Sequence, residues 1–413
     1  MTTPATHKQD KWSPEWSNAV FSLEERDRRW AHVRALMAKA GVDLIVCFPL
    51  THQHGRGAAD SRYLTQLGEN SDEVTVAFPI EGEVTAWLSR GGIWPSSNWF
   101  TDIRAAERGM GGNTITKYIK EHPGLERGTI AIAGLTSSPI SHIRSAEGVV
   151  NWGTYENLRK GVPTATYVSA TPILGEARWR KSPEEVEFLR KGVEVAEKTL
   201  AALREHARPG AAERELYAHM MFANAMAGGS FHPMVGWISG PQMNPYHRVE
   251  QPAFRNLQYG DSVSVEVEGI WGGYHSQLDQ SFAIGVAPPE MKDAAKCVWE
   301  TFDRVFAAMK PGVTVSELMN IAERTGLVGG RVKTGLGMHG RGTGNDGPLL
   351  VARRPEPPEV RELVLEEGNC FNLKPGAGID DLHDYVRWGD SVVITATGAK
   401  RLGTRPQELP VLT

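Results

Sequence analysis

The feature that most constrains this chain is a helix start near its middle. Ser182-Pro183-Glu184-Glu185 offers a serine N-cap, a proline at the first helical position and a glutamate three residues past the cap. Val186, Leu189, Val193, Ala196, Leu200 and Leu203 then recur at steps of three and four, one apolar face of a long amphipathic helix. Such a face has to be buried against something, and the text on its two sides differs.

Upstream, helical and strand-like segments alternate. Residues 24–40 place Trp30, Val33, Leu36 and Met37 on one stripe that stops at Gly41, the run 42–48 reads as a buried strand, and 73–78, 83–88 and 129–133 are further strand-like runs. That pattern predicts an α/β domain over 1–178. Downstream, helices near 212–226 and 289–309 flank alternating runs. Ser262-Val-Ser-Val-Glu-Val-Glu268 has period two, with 281–285 and 391–395 as antiparallel partners and 352–361 as a surface loop. That predicts an α+β domain over 179–413.

Charge and cysteine content narrow the function. Lys+Arg 45 against Asp+Glu 49 leaves a net charge of -4, with no basic surplus for nucleic acid or anionic lipid. Cys47, Cys297 and Cys370 form no CxxC pair, which excludes a thiolate zinc site and fits a reducing compartment. The polar N-terminus lacks a secretory pattern, and no apolar run approaches the ~20 residues that span a bilayer. The expectation is a cytoplasmic protein with neither nucleic-acid nor membrane partners.

Chemistry-bearing residues gather in five segments. Ser239-Gly240 leads through a turn-rich stretch to His247. Glu266-Val-Glu268 passes through Gly273-Tyr274 to His275, Gln277 and Asp279, and period two sets Gln277 and Asp279 on one strand face with His275 beside them. A solvated edge strand has the same pattern. Gly335-Leu-Gly337-Met-His339-Gly340-Arg341 satisfies GxGxxG, but further glycines and Pro348 follow where a dinucleotide site needs a helix, so it reads as backbone that approaches a ligand closely. Lys374 stands in an apolar run where an unpaired ammonium is expensive, and Arg387-Trp388-Gly389 precedes the last strand.

In this order the segments resemble the pita-bread family of aminopeptidase P, prolidase, methionine aminopeptidase and creatinase. Asp60-Ser-Arg62-Tyr63-Leu64-Thr65 is similar to the family's tract after its first strand, and 181–398 is similar to its second domain. The resemblance implies a creatinase-like α/β domain, a pita-bread catalytic domain, and a homodimer in which the partner's N-terminal domain lies near the active site. The family's peptidases hold two divalent ions on two Asp, one His and two Glu. Counted from Gly273-Tyr274, those places carry Glu266, Gln277, His339, Lys374 and Gly389. Neither metal nor cofactor is therefore expected.

The remaining likeness is to metal-free creatinase, whose catalytic His and acidic partner correspond to His247 and Asp279. Lys374 replaces an acid that in creatinase meets a guanidinium, so creatine itself does not fit. The expected function is a metal-independent lyase or non-peptide hydrolase that cleaves a small anionic substrate, aromatic ones included. His247 shuttles the proton, Asp279 or Glu266 orients it, and Lys374 with His339 holds the anionic end. Gln277, His275, Arg341, Arg387, Trp237, Tyr274, Trp388 and Arg62 are the expected substrate contacts. Two readings stand beside this one: an Xaa-Pro-type peptidase with a non-standard single-metal site on His339, Glu266 and Asp279, and an inactive binding module.

Overall fold

The structure, a computed structural model, describes residues 20–48, 58–67, 74–88, 99–106, 111–135, 142, 150–230, 233–241, 248–249, 254–344, 346–351, 355–379 and 382–413, with the side chains of 382–385 and 248–249 left aside. The described residues form two compact units that divide at Ile173 and Leu174, with His142 grouped in the second.

In the first unit, α1 (Leu23–Ala40) starts at Ser22, whose hydroxyl accepts from Glu25 N at 3.0 Å, and stops at Gly41 in the left-handed region, φ 66°. The strands β1 (Leu44–Cys47), β2 (Val74–Pro79), β3 (Thr85–Leu88), β4 (Asp102–Ala105), β5 (Thr129–Ile132) and β6 (Thr166–Ser169) form one sheet in the order β4-β3-β2-β1-β5-β6. The helices are α2 (Ala59–Thr65), α3 (Gly111–Glu121), α4 (Trp152–Gly161) and α5 (Thr171–Trp179), the last crossing the division between the units. Leu44, Val46, Ile130 and Ile132 pack against Ile115, Ile119 and Leu158, which places α3 and α4 on the sheet. This is an α/β unit.

The second unit opens with α6 (Pro183–His206). Its capping box is closed on both sides: Glu185 N donates to Ser182 Oγ at 3.1 Å, and Ser182 N to Glu185 Oε2 at 2.9 Å. Then come α7 (Glu213–Met226), β7 (Val235–Pro241), β8 (Arg248–Val249), β9 (Asp261–Trp271), β10 (Tyr274–Ile284), α8 (Pro289–Ala308), α9 (Val315–Ala322), β11 (Arg324–Leu327), β12 (Val332–Gly335), β13 (Met338–Gly340) and β14 (Leu349–Leu350). They are followed by α10 (Pro358–Arg361), β15 (Cys370–Leu373), β16 (Gly376–Ile379), β17 (Leu382–Thr395), β18 (Gly398–Arg401) and β19 (Val411–Leu412). The main path of the sheet is β11-β12-β16-β17-β10-β9-β7-β8, with β13 and β15 joined to it through β17.

Period two in β9 predicts one wet face, yet every residue from Asp261 to Ile270 is buried. Val263, Val265 and Val267 lie in one core with Val193, Leu200 and Leu203 of α6, while the Ser264, Glu266 and Glu268 side is covered by other polar groups. β10 is likewise buried throughout and central, between β9 and β17, so it is no solvated edge. β17 runs far beyond the 391–395 read from the sequence; Arg387 pairs with Glu266 and Asp390 with Arg401, so charged residues sit inside the strand and hide it from a hydropathy pattern. Within the expected loop 352–361, residues 358–361 form the short α10, and 352–354 lie outside the described residues. Among the described residues no helix is long and apolar enough to cross a membrane.

Candidate functional site

Antiparallel register builds the site. Asp279 on β10 stands opposite Glu266 on β9 and Gly389 on β17, while Gln277 stands opposite Glu268. On the neighbouring pair, His339 of β13 stands opposite Asn372 of β15, and Lys374 follows two residues later. Residues far apart in the chain thus meet on one sheet face.

Two linked clusters result. In the first, Lys374 Nζ lies 3.3 Å from Glu266 Oε2 and 3.9 Å from Asp279 Oδ1, and Arg387 Nη1 pairs with Glu266 Oε1. Asn372 Nδ2 donates to Asp279 Oδ2 at 2.8 Å, and Gln277 Nε2 points at both Glu266 Oε2 and Asp279 Oδ2, 3.4 Å from each. Burial pushes the Asp279 carboxyl above the usual carboxylate range, against the opposing pull of Lys374. In the second, Arg341 Nη1 donates to Glu268 Oε1 at 2.9 Å, and His275 Nδ1 lies 3.5 Å from Glu268 Oε2. Arg341 Nη2 also stands 3.3 Å from His339 Nε2. A guanidinium only donates, so His339 Nε2 is the acceptor and its proton sits on Nδ1, towards Gly340 O at 3.3 Å.

A buried triad anchors the glycine-rich turn that carries Arg341. Asp346 Oδ1 lies 3.2 Å from Arg178 Nε, and its Oδ2 lies 2.8 Å from Lys181 Nζ.

The structure brings together Glu266, Gln277, Asp279, Lys374 and Arg387, with His275, His339 and Arg341 beside them. Within the second unit it does not bring in three of the expected substrate contacts. Trp237 is buried in the core under α6, and Trp388 stands edge-on to Phe302 at 4.8 Å in the other core, because both rings project to the apolar side of the sheet. The Tyr274 hydroxyl donates to Glu185 Oε1 at 2.8 Å, which ties it to the start of α6. Arg62 is buried in α2 of the first unit. His247 lies outside the described residues. Two members were missed, Glu268 and Asn372. Period two on Asn372-Leu-Lys374 already puts Asn372 on the face of Lys374, and the same rule aligns Glu268 with Glu266.

The model of metallopeptidase family M24 matches residues 187–396, half of the chain and all of these clusters. The chain belongs to metallopeptidase family M24. The M24 member is 27% identical over 266 residues to an Xaa-Pro dipeptidase of Pyrococcus furiosus, covering 64% of this chain and 74% of that one. It is 29% identical over 251 residues to a probable dipeptidase PepE of Mycobacterium tuberculosis, covering 59% of this chain and 64% of that relative. Among solved structures, an Xaa-Pro dipeptidase from Bacillus anthracis superposes with a TM-score of 0.71 at 19% identity, over 94% of this chain and 100% of that one. An X-Pro aminopeptidase from Thermotoga maritima gives 0.71 at 18% identity, over 92% and 99%. The fold is an N-terminal α/β domain with a C-terminal pita-bread domain.

These relatives are peptidases by name, which overturns the expectation of a metal-independent lyase or non-peptide hydrolase; they lend no support to a special likeness to creatinase. The family name implies metal, and the residues here fit a pair of divalent ions poorly. The carboxylates of Glu266, Asp279 and Glu268 already face Lys374, Arg387 and Arg341, and among the described residues no three His, Cys, Asp or Glu gather as ligands.

Proposed function

We propose that this M24 member is a hydrolase of short peptides or peptide-like amides, of the kind its Xaa-Pro dipeptidase relatives are named for. The observation that carries the reading is a buried cluster of both charge signs, lying wholly within the stretch matched to the family. A dipeptide ends in a carboxylate, and the cations of such a cluster can meet that end. Lys374, the most exposed cation of the clusters with 16% of its side chain open, would meet a carboxylate or a carbonyl oxygen on which charge develops. Glu266 and Asp279 hold Lys374 in place, Gln277 and Asn372 hold the carboxylates, and Arg341 holds His339. His247 is the proposed general acid/base. A cytoplasmic homodimer completes the proposal, with sedimentation velocity as the check on its assembly.

The test is a panel of Xaa-Pro and non-prolyl dipeptides, with released amino acids read by mass spectrometry. The protein is run as purified, after chelation, and with added Mn2+, Co2+ or Zn2+. Cleavage of Xaa-Pro dipeptides above the no-enzyme rate is expected in at least one condition. No cleavage of any dipeptide under any of them refutes the reading.

A further inference from the structure

We propose that the centre of this M24 member is filled by its own cations, with the Lys374 ammonium held between Glu266 and Asp279, and that it does not hold a pair of divalent ions. The inference needs no substrate assignment.

The first observation is a slot cut for the lysine. A β-carbon on Gly389 would stand 2.7 Å from Lys374 Cβ and 2.9 Å from Leu373 O; one on Gly337 would stand 2.5 Å from Lys374 O and 3.2 Å from Lys374 Cγ. Lys374 therefore runs between two bare backbones, and its Nζ emerges against Glu266 and Asp279. A glutamate at 389 in place of the glycine would collide with this lysine, so Gly389 and Lys374 form a matched pair of residues.

Second, the charges close. Glu266 meets Lys374 and Arg387, Asp279 meets Lys374, and Glu268 meets Arg341. Among the described residues, three carboxylates balanced by three cations leave no negative excess to attract a divalent ion.

Third, the neutral donors are turned the wrong way. Gln277 Nε2 faces the two carboxylates, which can only accept, so an ion between them would meet N–H groups. The Nε2 lone pair of His339 already accepts from Arg341.

Metal binding itself is the readout. The chelated, dialysed full chain is titrated with Mn2+ and, separately, Zn2+ by calorimetry, and bound metal is counted by elemental analysis. Far less than one ion per chain is expected for the wild type. Lys374→Glu, which reverses one charge in a buried carboxylate pocket, is expected to bind Mn2+ at least about a hundredfold more tightly. Lys374→Met removes the charge without adding a ligand, and melting curves establish that both variants fold.

Stoichiometric Mn2+ or Zn2+ on the wild type, lost in Asp279→Asn, overturns the proposal. So does a folded Lys374→Glu that binds no better than wild type, because Lys374 would then not be the excluding cation. A chain that excludes metal and cleaves no dipeptide would sink the peptidase reading and leave this one standing.

Discussion

Asp346→Asn tests the electrostatic reasoning directly, because the amide keeps the shape of the carboxylate while removing its charge and turning one acceptor oxygen into a donor. Asp346, Arg178 and Lys181 have side chains 3%, 2% and 2% exposed, so water screens none of them. At an effective dielectric near 20, a contact of about 3 Å carries ~5 kcal/mol of gross attraction, most of it offset by desolvation. The substitution leaves two buried cations facing an amide, an arrangement that costs ~3–5 kcal/mol. For a unit of this size ~2–4 °C is lost per kcal/mol, so the melting temperature should fall by about 6–20 °C at neutral pH. Acid adds a second reading. Burial alone would raise the Asp346 pKa, but the charges of Lys181 and Arg178 outweigh it and hold the carboxyl below its usual range. A depressed folded pKa gives stability that is present above about pH 4 and lost as the pH falls through the folded value. The wild type should therefore lose melting temperature on acidification below pH 4, and the variant should lose less. Circular dichroism melts from pH 7 to pH 3 measure both effects. A variant melting within ~2 °C of wild type at pH 7 would show that the triad contributes almost nothing.

Two further predictions concern His247 and Gly337. His247→Ala should lower dipeptide turnover by ~10²–10⁴-fold while barely moving the melting temperature, and near-normal turnover would remove it as the proton carrier. Gly337→Ala forces a β-carbon to within 2.5 Å of Lys374 O. Urea unfolding should show a loss of ~1–3 kcal/mol, and an unchanged midpoint would mean that the Lys374 slot is not closely packed.

Helix α6 and its capping box were legible from Ser182, Glu185 and the apolar stripe, because cap hydrogen bonds and helical spacing join residues within one or two turns. The strand placing Gln277 and Asp279 on one face was legible for the same local reason. So was the absence of oxygen ligands at 374 and 389, given the resemblance anchored on Gly273-Tyr274. Only the tertiary structure decided that Asn372 donates to Asp279 across 93 residues and that Arg387 pairs with Glu266 across 121. It also decided that Arg341 occupies the His339 lone pair, and that Trp237 and Trp388 face apolar cores rather than the polar face. Local periodicity says which residues share a face. Which faces meet, and which charge ends beside which, depends on strand pairing between distant segments, and only folding sets that register.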